Sequence, residues 1–131
     1  MREIRLYRPP ERAAPLETFM ATLDPKLQKK LRWQFFRLAN TAPSDLKEPH
    51  YKHFTLEKYS QFYELREKNK VLVRVIFTIC GEDYLLLTPF VKRQPRDTMR
   101  ALEASLRLLA DVREHPEHAV RFDFQKEEDT E

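Results

Sequence analysis

Gln61-Phe62-Tyr63-Glu64-Leu65-Arg66, Val73-Arg74-Val75-Ile76-Phe77 and Leu85-Leu86-Leu87-Thr88-Pro89-Phe90-Val91-Lys92-Arg93 follow one another at hairpin spacing and decide the fold. All three are rich in β-branched, aromatic and aliphatic residues, so strands are expected over Phe62–Glu67, Val71–Ile79 and Tyr84–Val91. The connections, Lys68-Asn69-Lys70 and Gly81-Glu82-Asp83, are too short for anything but antiparallel hairpins. The result is a three-stranded meander. Each run carries a cation inside or at the end of an apolar stretch, which puts fixed positive charge on the sheet.

Strand alternation places Glu64 and Arg66 on one face and Tyr63 and Leu65 on the other. In the next strand Val73, Val75, Phe77 and Ile79 form an apolar face that should meet helices, so Arg74 points away from that core. With Tyr63 and Leu65 on the core side, Glu64, Arg66 and Arg74 gather on the opposite, concave and solvated surface.

Working outward, Glu3–Tyr7 alternates and reads as a first strand, stopped by Pro9-Pro10. A short helix beginning near Pro15 carries Leu16, Phe19, Met20 and Leu23 on one side. Asp24 then suits an N-cap with Pro25 at the first helical position, opening a helix to about Asn40 whose buried stripe is Leu27, Leu31, Phe35 and Leu38. Trp33, Phe35 and Phe36 read as packing residues. Lys26, Lys29, Lys30 and Arg37 lie off the stripe, as either a solvated face or a phosphate-binding one. Thr41–Lys52, with Pro43 and Pro49, reads as a loop. After the meander, Pro95-Arg96-Asp97 opens a helix with Met99, Leu102, Leu106, Leu109 and Val112 at helical spacing, ending near His115-Pro116. Ala119–Phe124 alternates weakly and is open between an edge strand, another docked segment and a loose one. An α+β fold follows, its curved antiparallel sheet made of the N-terminal strand plus the meander, packed with two N-terminal helices and a C-terminal one. Residues 1–116 form the domain and 117–131 an acidic tail.

Composition bounds the function. A chain of 131 residues with 41% hydrophobic content supports one modest core. The net charge of +3 conceals an asymmetry: residues 117–131 hold two cations against six acids, −4, so the other 116 residues carry +7. A basic body favours polyanions. No apolar run reaches membrane-spanning length and the N-terminus lacks a signal-peptide core, which points to the cytoplasm and away from a membrane. One cysteine, Cys80, excludes an internal disulfide and a cysteine zinc site. One glycine excludes a glycine-rich phosphate loop. The pairs His50/His53 and His115/His118 lack the four-residue helical spacing of zinc ligands, so neither a metal nor another cofactor is expected.

The order of strand, two helices, three-stranded meander and helix, with Tyr63-Glu64-Leu65-Arg66, Arg74 inside the second meander strand and Phe90-Val91-Lys92-Arg93 closing the third, resembles the RelE/ParE superfamily of toxins, and within it the phage-derived HigB-like branch. The likeness covers roughly residues 15–112 and implies a RelE-like fold with a basic concave sheet. It implies the toxin of a type II toxin–antitoxin system, neutralised by a small helix-turn-helix antitoxin. RelE- and HigB-like members cleave mRNA on the ribosome; ParE-like members poison DNA gyrase; a third possibility is a member that only binds RNA or protein. By the same resemblance Arg66, Arg74, Lys92 and Arg93 match family cations. Glu64 stands where a RelE sheet has another lysine, and Met99 near where its last helix has a tyrosine.

A metal-independent ribonuclease needs a base for the ribose 2′-OH, cations for the phosphate charge and an acid for the leaving oxygen. Arginine does not deprotonate in proteins, so Glu64 is the candidate base, with Arg66 and Arg74 stabilising the transition state and Lys92 as acid or phosphate holder. His53 is a further proton carrier near the sheet edge. Lys26, Lys29, Lys30, Lys52, Lys68 and Lys70 complete the expected RNA-binding set. The competing reading of Glu64, Arg66 and Arg74 is a cross-strand ion pair on a solvated face.

Overall fold

The computed structural model describes residues 1–68 and 71–125. Its elements in chain order are β1 (Ile4–Tyr7), α1 (Pro15–Ala21), α2 (Pro25–Ala39), β2 (Tyr51–His53), β3 (Phe62–Lys68), β4 (Leu72–Cys80), β5 (Asp83–Val91), α3 (Pro95–Glu114) and β6 (Ala119–Arg121). Among the described residues six strands form one sheet in the order β2-β3-β4-β5-β1-β6. The meander β3-β4-β5 is antiparallel, as its short connections demand, and Gly81 at φ +63° supplies the left-handed residue of the β4–β5 turn. The Asn69-Lys70 part of the β3–β4 turn lies outside the described residues.

Two features differ from the expectation, and a third settles which of the alternatives for Ala119–Phe124 is adopted. The segment Thr41–Lys52 is not all loop: Tyr51–His53 pairs antiparallel with β3 and forms the sheet edge. β1 does not extend an antiparallel array but lies parallel to β5, a pairing that the long stretch of chain between the two strands allows. β6 then pairs with β1, and Phe124 is buried, its ring edge-on to Phe35 at 6.5 Å. The packed body thus runs beyond the boundary expected at residue 116, and the structural description stops at Gln125, inside the expected acidic tail.

Helices cover both faces. Leu16 and Met20 of α1 and Leu27, Leu31, Phe35 and Leu38 of α2 form one core with Leu65, Val73, Val75, Phe77 and Leu86. Leu102, Leu109 and Val112 of α3 form the other with Phe62, Ile76, Leu85 and Leu87. The physical signal was the unbroken run Tyr84-Leu85-Leu86-Leu87: a strand buried on both faces has no polar side to alternate with. A β-bulge contributes, since Ile76 pairs with Thr88 and Phe77 with Leu86, leaving Leu87 as the extra residue. The expected open concave face is therefore a helix-covered one. Ile79, expected in the core, is 36% exposed near the β4 end, and Trp33, expected to pack, is 59% exposed and stacked on Phe36 at 5.3 Å.

Local chemistry places α2 as read. Asp24 Oδ1 accepts the Leu27 N–H at 2.9 Å, and Pro25 stands in the first turn. Replacing Asp24 by Ala should lower stability by ~1 kcal/mol, the usual loss for a working N-cap, measured by urea denaturation.

Candidate functional site

The α3-side face of the sheet is read in rows across the strands. Register puts Lys52, Glu64, Ile76 and Thr88 in one row and Arg66, Arg74 and Phe90 in the next. Lys68 and Lys92 continue the same face by alternation, and the Lys92 N–H bonds the Leu72 carbonyl at 2.8 Å. The shared face of Glu64, Arg66 and Arg74 follows from period two, as the sequence indicates.

Their environment differs from the expectation. Glu64 is 1% exposed and Arg74 6%, so the cluster is buried and not left to solvent. Glu64 Oε1 accepts from Arg66 Nε at 3.1 Å and lies 3.5 Å from Arg74 Nε. Arg66, the more exposed of the two, also reaches Glu48 Oε1 at 3.0 Å. Burial pulls the Arg74 guanidinium below its ordinary range, Glu64 opposes that and Arg66 adds to it. Two polar atoms of this cluster, Glu64 Oε2 and Arg74 Nε, are buried with no hydrogen-bond partner. Such orphaned atoms mark a site whose polar capacity is not spent on the fold.

Beside the cluster lies a cavity of about 370 Å³, lined by Lys52, His53, Phe54, Lys92, Thr98 and Met99 among others. Lys52 and Lys92 both reach it although β3 and β4 lie between their strands. Thr98 Oγ1 adds a third buried polar atom without a partner to the two in the cluster. His53 Nε2 donates to the Ser60 carbonyl at 2.6 Å, and the ring is stacked on Tyr63 at 4.5 Å, on the face of the sheet opposite Lys52 and Glu64. The mouth is shaped by the start of α3, where Asp97 Oδ2 accepts the N–H groups of Arg93 at 2.8 Å and Gln94 at 3.0 Å. Those two bonds hold the Asp97 carboxyl below its ordinary range and pin the backbone that follows Lys92.

The other expected residues divide. Arg93 and Lys68 are exposed near the same end of the sheet, and Lys70 lies outside the described residues. Lys26, Lys29 and Lys30 are elsewhere. They line a groove of about 770 Å³ on α2 with Arg32, Trp33 and Phe36, on the other side of the sheet from Glu64. Phe54 and Thr98 were not singled out from sequence. Lys52-His53-Phe54, charged and aromatic residues in alternation, was the signal that this stretch is an edge strand facing a site.

The phage-derived protein Gp49-like family model (DUF891) matches residues 18–119, from α1 to the start of β6. This chain belongs to the Gp49-like family. That family is part of the RelE/ParE-like toxin group, so this Gp49-like protein is a toxin-like chain for which a cognate antitoxin is the implied partner. No curated protein and no solved structure matches it. The matched span includes the Glu64 cluster and every residue named above as lining the cavity beside it, so those features lie within what the Gp49-like match covers. Among the described residues no helix is long and apolar enough to cross a membrane.

Proposed function

We propose that this Gp49-like protein is the toxin of a type II toxin–antitoxin pair, of the HigB-like branch, and that it cleaves translated mRNA on the ribosome without a metal in the reaction. The observation that carries this reading is the convergence of Lys52 and Lys92 on one cavity, on the sheet face that also holds the Arg66–Glu64–Arg74 cluster. The cavity supplies the cationic part of what RNA cleavage requires. The ribose 2′-OH attacks the adjacent phosphate with its proton passing to water; Lys52 and Lys92 bind the phosphate as charge builds on it; Lys92 gives a proton to the departing 5′ oxygen. Glu64, at 1% exposure, cannot reach a ribose without the sheet opening, so its part is to position the guanidinium groups of Arg66 and Arg74. Lys68 and Arg93 extend the RNA-binding surface. The protein acts in the cytoplasm, and a small helix-turn-helix antitoxin neutralises it.

A second reading has its own observation. Met99 lines the cavity near where RelE-like toxins carry a tyrosine, and the carboxylate is enclosed, both of which suit a non-catalytic, ParE-like gyrase poison. Induction of the protein alone in growing bacteria separates the two. Growth arrest with new 5′ ends inside translated mRNA is expected; arrest with intact mRNA and trapped gyrase–DNA breaks assigns the ParE-like activity instead.

A further inference from the structure

At the far end of α3 the chain makes a tight turn that sequence spacing did not reveal as a site. Pro116 opens a single 3₁₀ turn, Pro116–His118, and the His118 N–H bonds the His115 carbonyl at 2.9 Å. With three residues per turn, side chains three apart eclipse. Accordingly the two imidazoles stack, centroids 4.9 Å apart and planes at 22°. Glu117 joins them: its Oε2 lies 3.7 Å from His115 Nδ1 and 4.0 Å from His118 Nε2. One donor atom from each of the three residues lies within 4.8 Å of the others.

The geometry points to a site for one divalent transition-metal ion of the zinc class, held by His115, Glu117 and His118. Metal–ligand bonds of ~2.0–2.1 Å at tetrahedral angles set neighbouring donors roughly 3.3 Å apart. Donors at 3.7 and 4.0 Å close that gap by small rotations, which the exposed side chains of His115 and Glu117 are free to make. His118 is the fixed member. Its side chain is 12% exposed, and its Nδ1 lies 2.7 Å from Asp111 Oδ2, which also accepts the Tyr7 hydroxyl at 2.7 Å. A carboxylate partner makes Nδ1 the donor and leaves the Nε2 lone pair turned toward Glu117. This is the carboxylate–histidine arrangement that orients a metal ligand from behind. Two imidazoles and one carboxylate suit Zn²⁺, with the fourth position open to water. The ion ties the end of α3 to the turn that enters β6, so its effect is on the stability of that corner, apart from the RNA chemistry proposed at the other end of the helix.

The test uses untagged full-length protein stripped with a chelator and titrated with Zn²⁺ by calorimetry and with Co²⁺ by visible absorption. One ion per chain is expected, with the d–d spectrum of a nitrogen–oxygen site and a melting temperature that rises with Zn²⁺ concentration. His115→Ala and Glu117→Gln, both at exposed positions, should abolish that rise, and Asp111→Asn should weaken binding by ~10–100-fold. Absence of Zn²⁺ uptake by the folded wild type, or uptake unchanged in His115→Ala and Glu117→Gln, overturns the proposal.

Discussion

Glu64→Ala is expected to cost ~3–5 kcal/mol of folding stability, because it leaves a buried guanidinium without its counter-charge. Glu64 is 1% exposed, Arg74 6%, and Glu64 Oε1 is the nearest anion to both Arg66 Nε and Arg74 Nε. Domains of this kind are stable by only ~5–15 kcal/mol, so the variant should lose much of its resistance to urea. The loss belongs to the stranded charge and not to the ion pair as such. The double replacement Glu64→Leu with Arg74→Met should therefore recover most of it, since well-packed apolar residues replace buried ion pairs at little cost. Arg66→Ala, whose side chain is partly solvated, should cost only ~1 kcal/mol or less. Urea denaturation of the three variants checks this; a loss for Glu64→Ala within ~0.5 kcal/mol would mean that the cluster is solvated and the burial argument wrong.

Lys52→Ala and Lys92→Ala should each lower single-turnover cleavage of mRNA on programmed ribosomes by ~100-fold or more, the usual loss when a positioned acid or a cation stabilising the transition state is removed. Both residues line the cavity and neither is buried, so the folded state should survive their loss with the melting temperature nearly unchanged. Lys92→Arg keeps the charge but not a titratable proton; it should restore ribosome binding without restoring the rate. Cleavage at the wild-type rate by both alanine variants would remove the cavity from the chemistry and favour the gyrase reading.

Much of this was legible in local pattern. The hairpin spacing, the period-two alternation and the helical stripes of α2 and α3 are properties of short windows, and they placed the meander, the helices and the common face of Glu64, Arg66 and Arg74. The misses were of another kind. Trp33 stands two residues from both Leu31 and Phe35, which puts it on the far side of α2 from the stripe, so reading it as a packing residue went against the helical period. Three-residue strands such as β2 and β6 have too little pattern of their own and exist because a neighbour's edge was available.

The sequence by itself therefore determined which residues share a face and which charges they carry, since backbone geometry enforces both over a few residues. Only the tertiary structure decided whether that face meets water. Coverage depends on where α3 lands after leaving β5, and its stripe of Leu102, Leu109 and Val112 comes down on Phe62, Ile76, Leu85 and Leu87, on the face that holds the buried Glu64 and Arg74, leaving a cavity at the β2 edge. The same holds at the other end of that helix, where Tyr7 and Asp111, 104 residues apart in the chain, meet behind His118. Contacts at that separation arise when whole elements pack, and no local period encodes them.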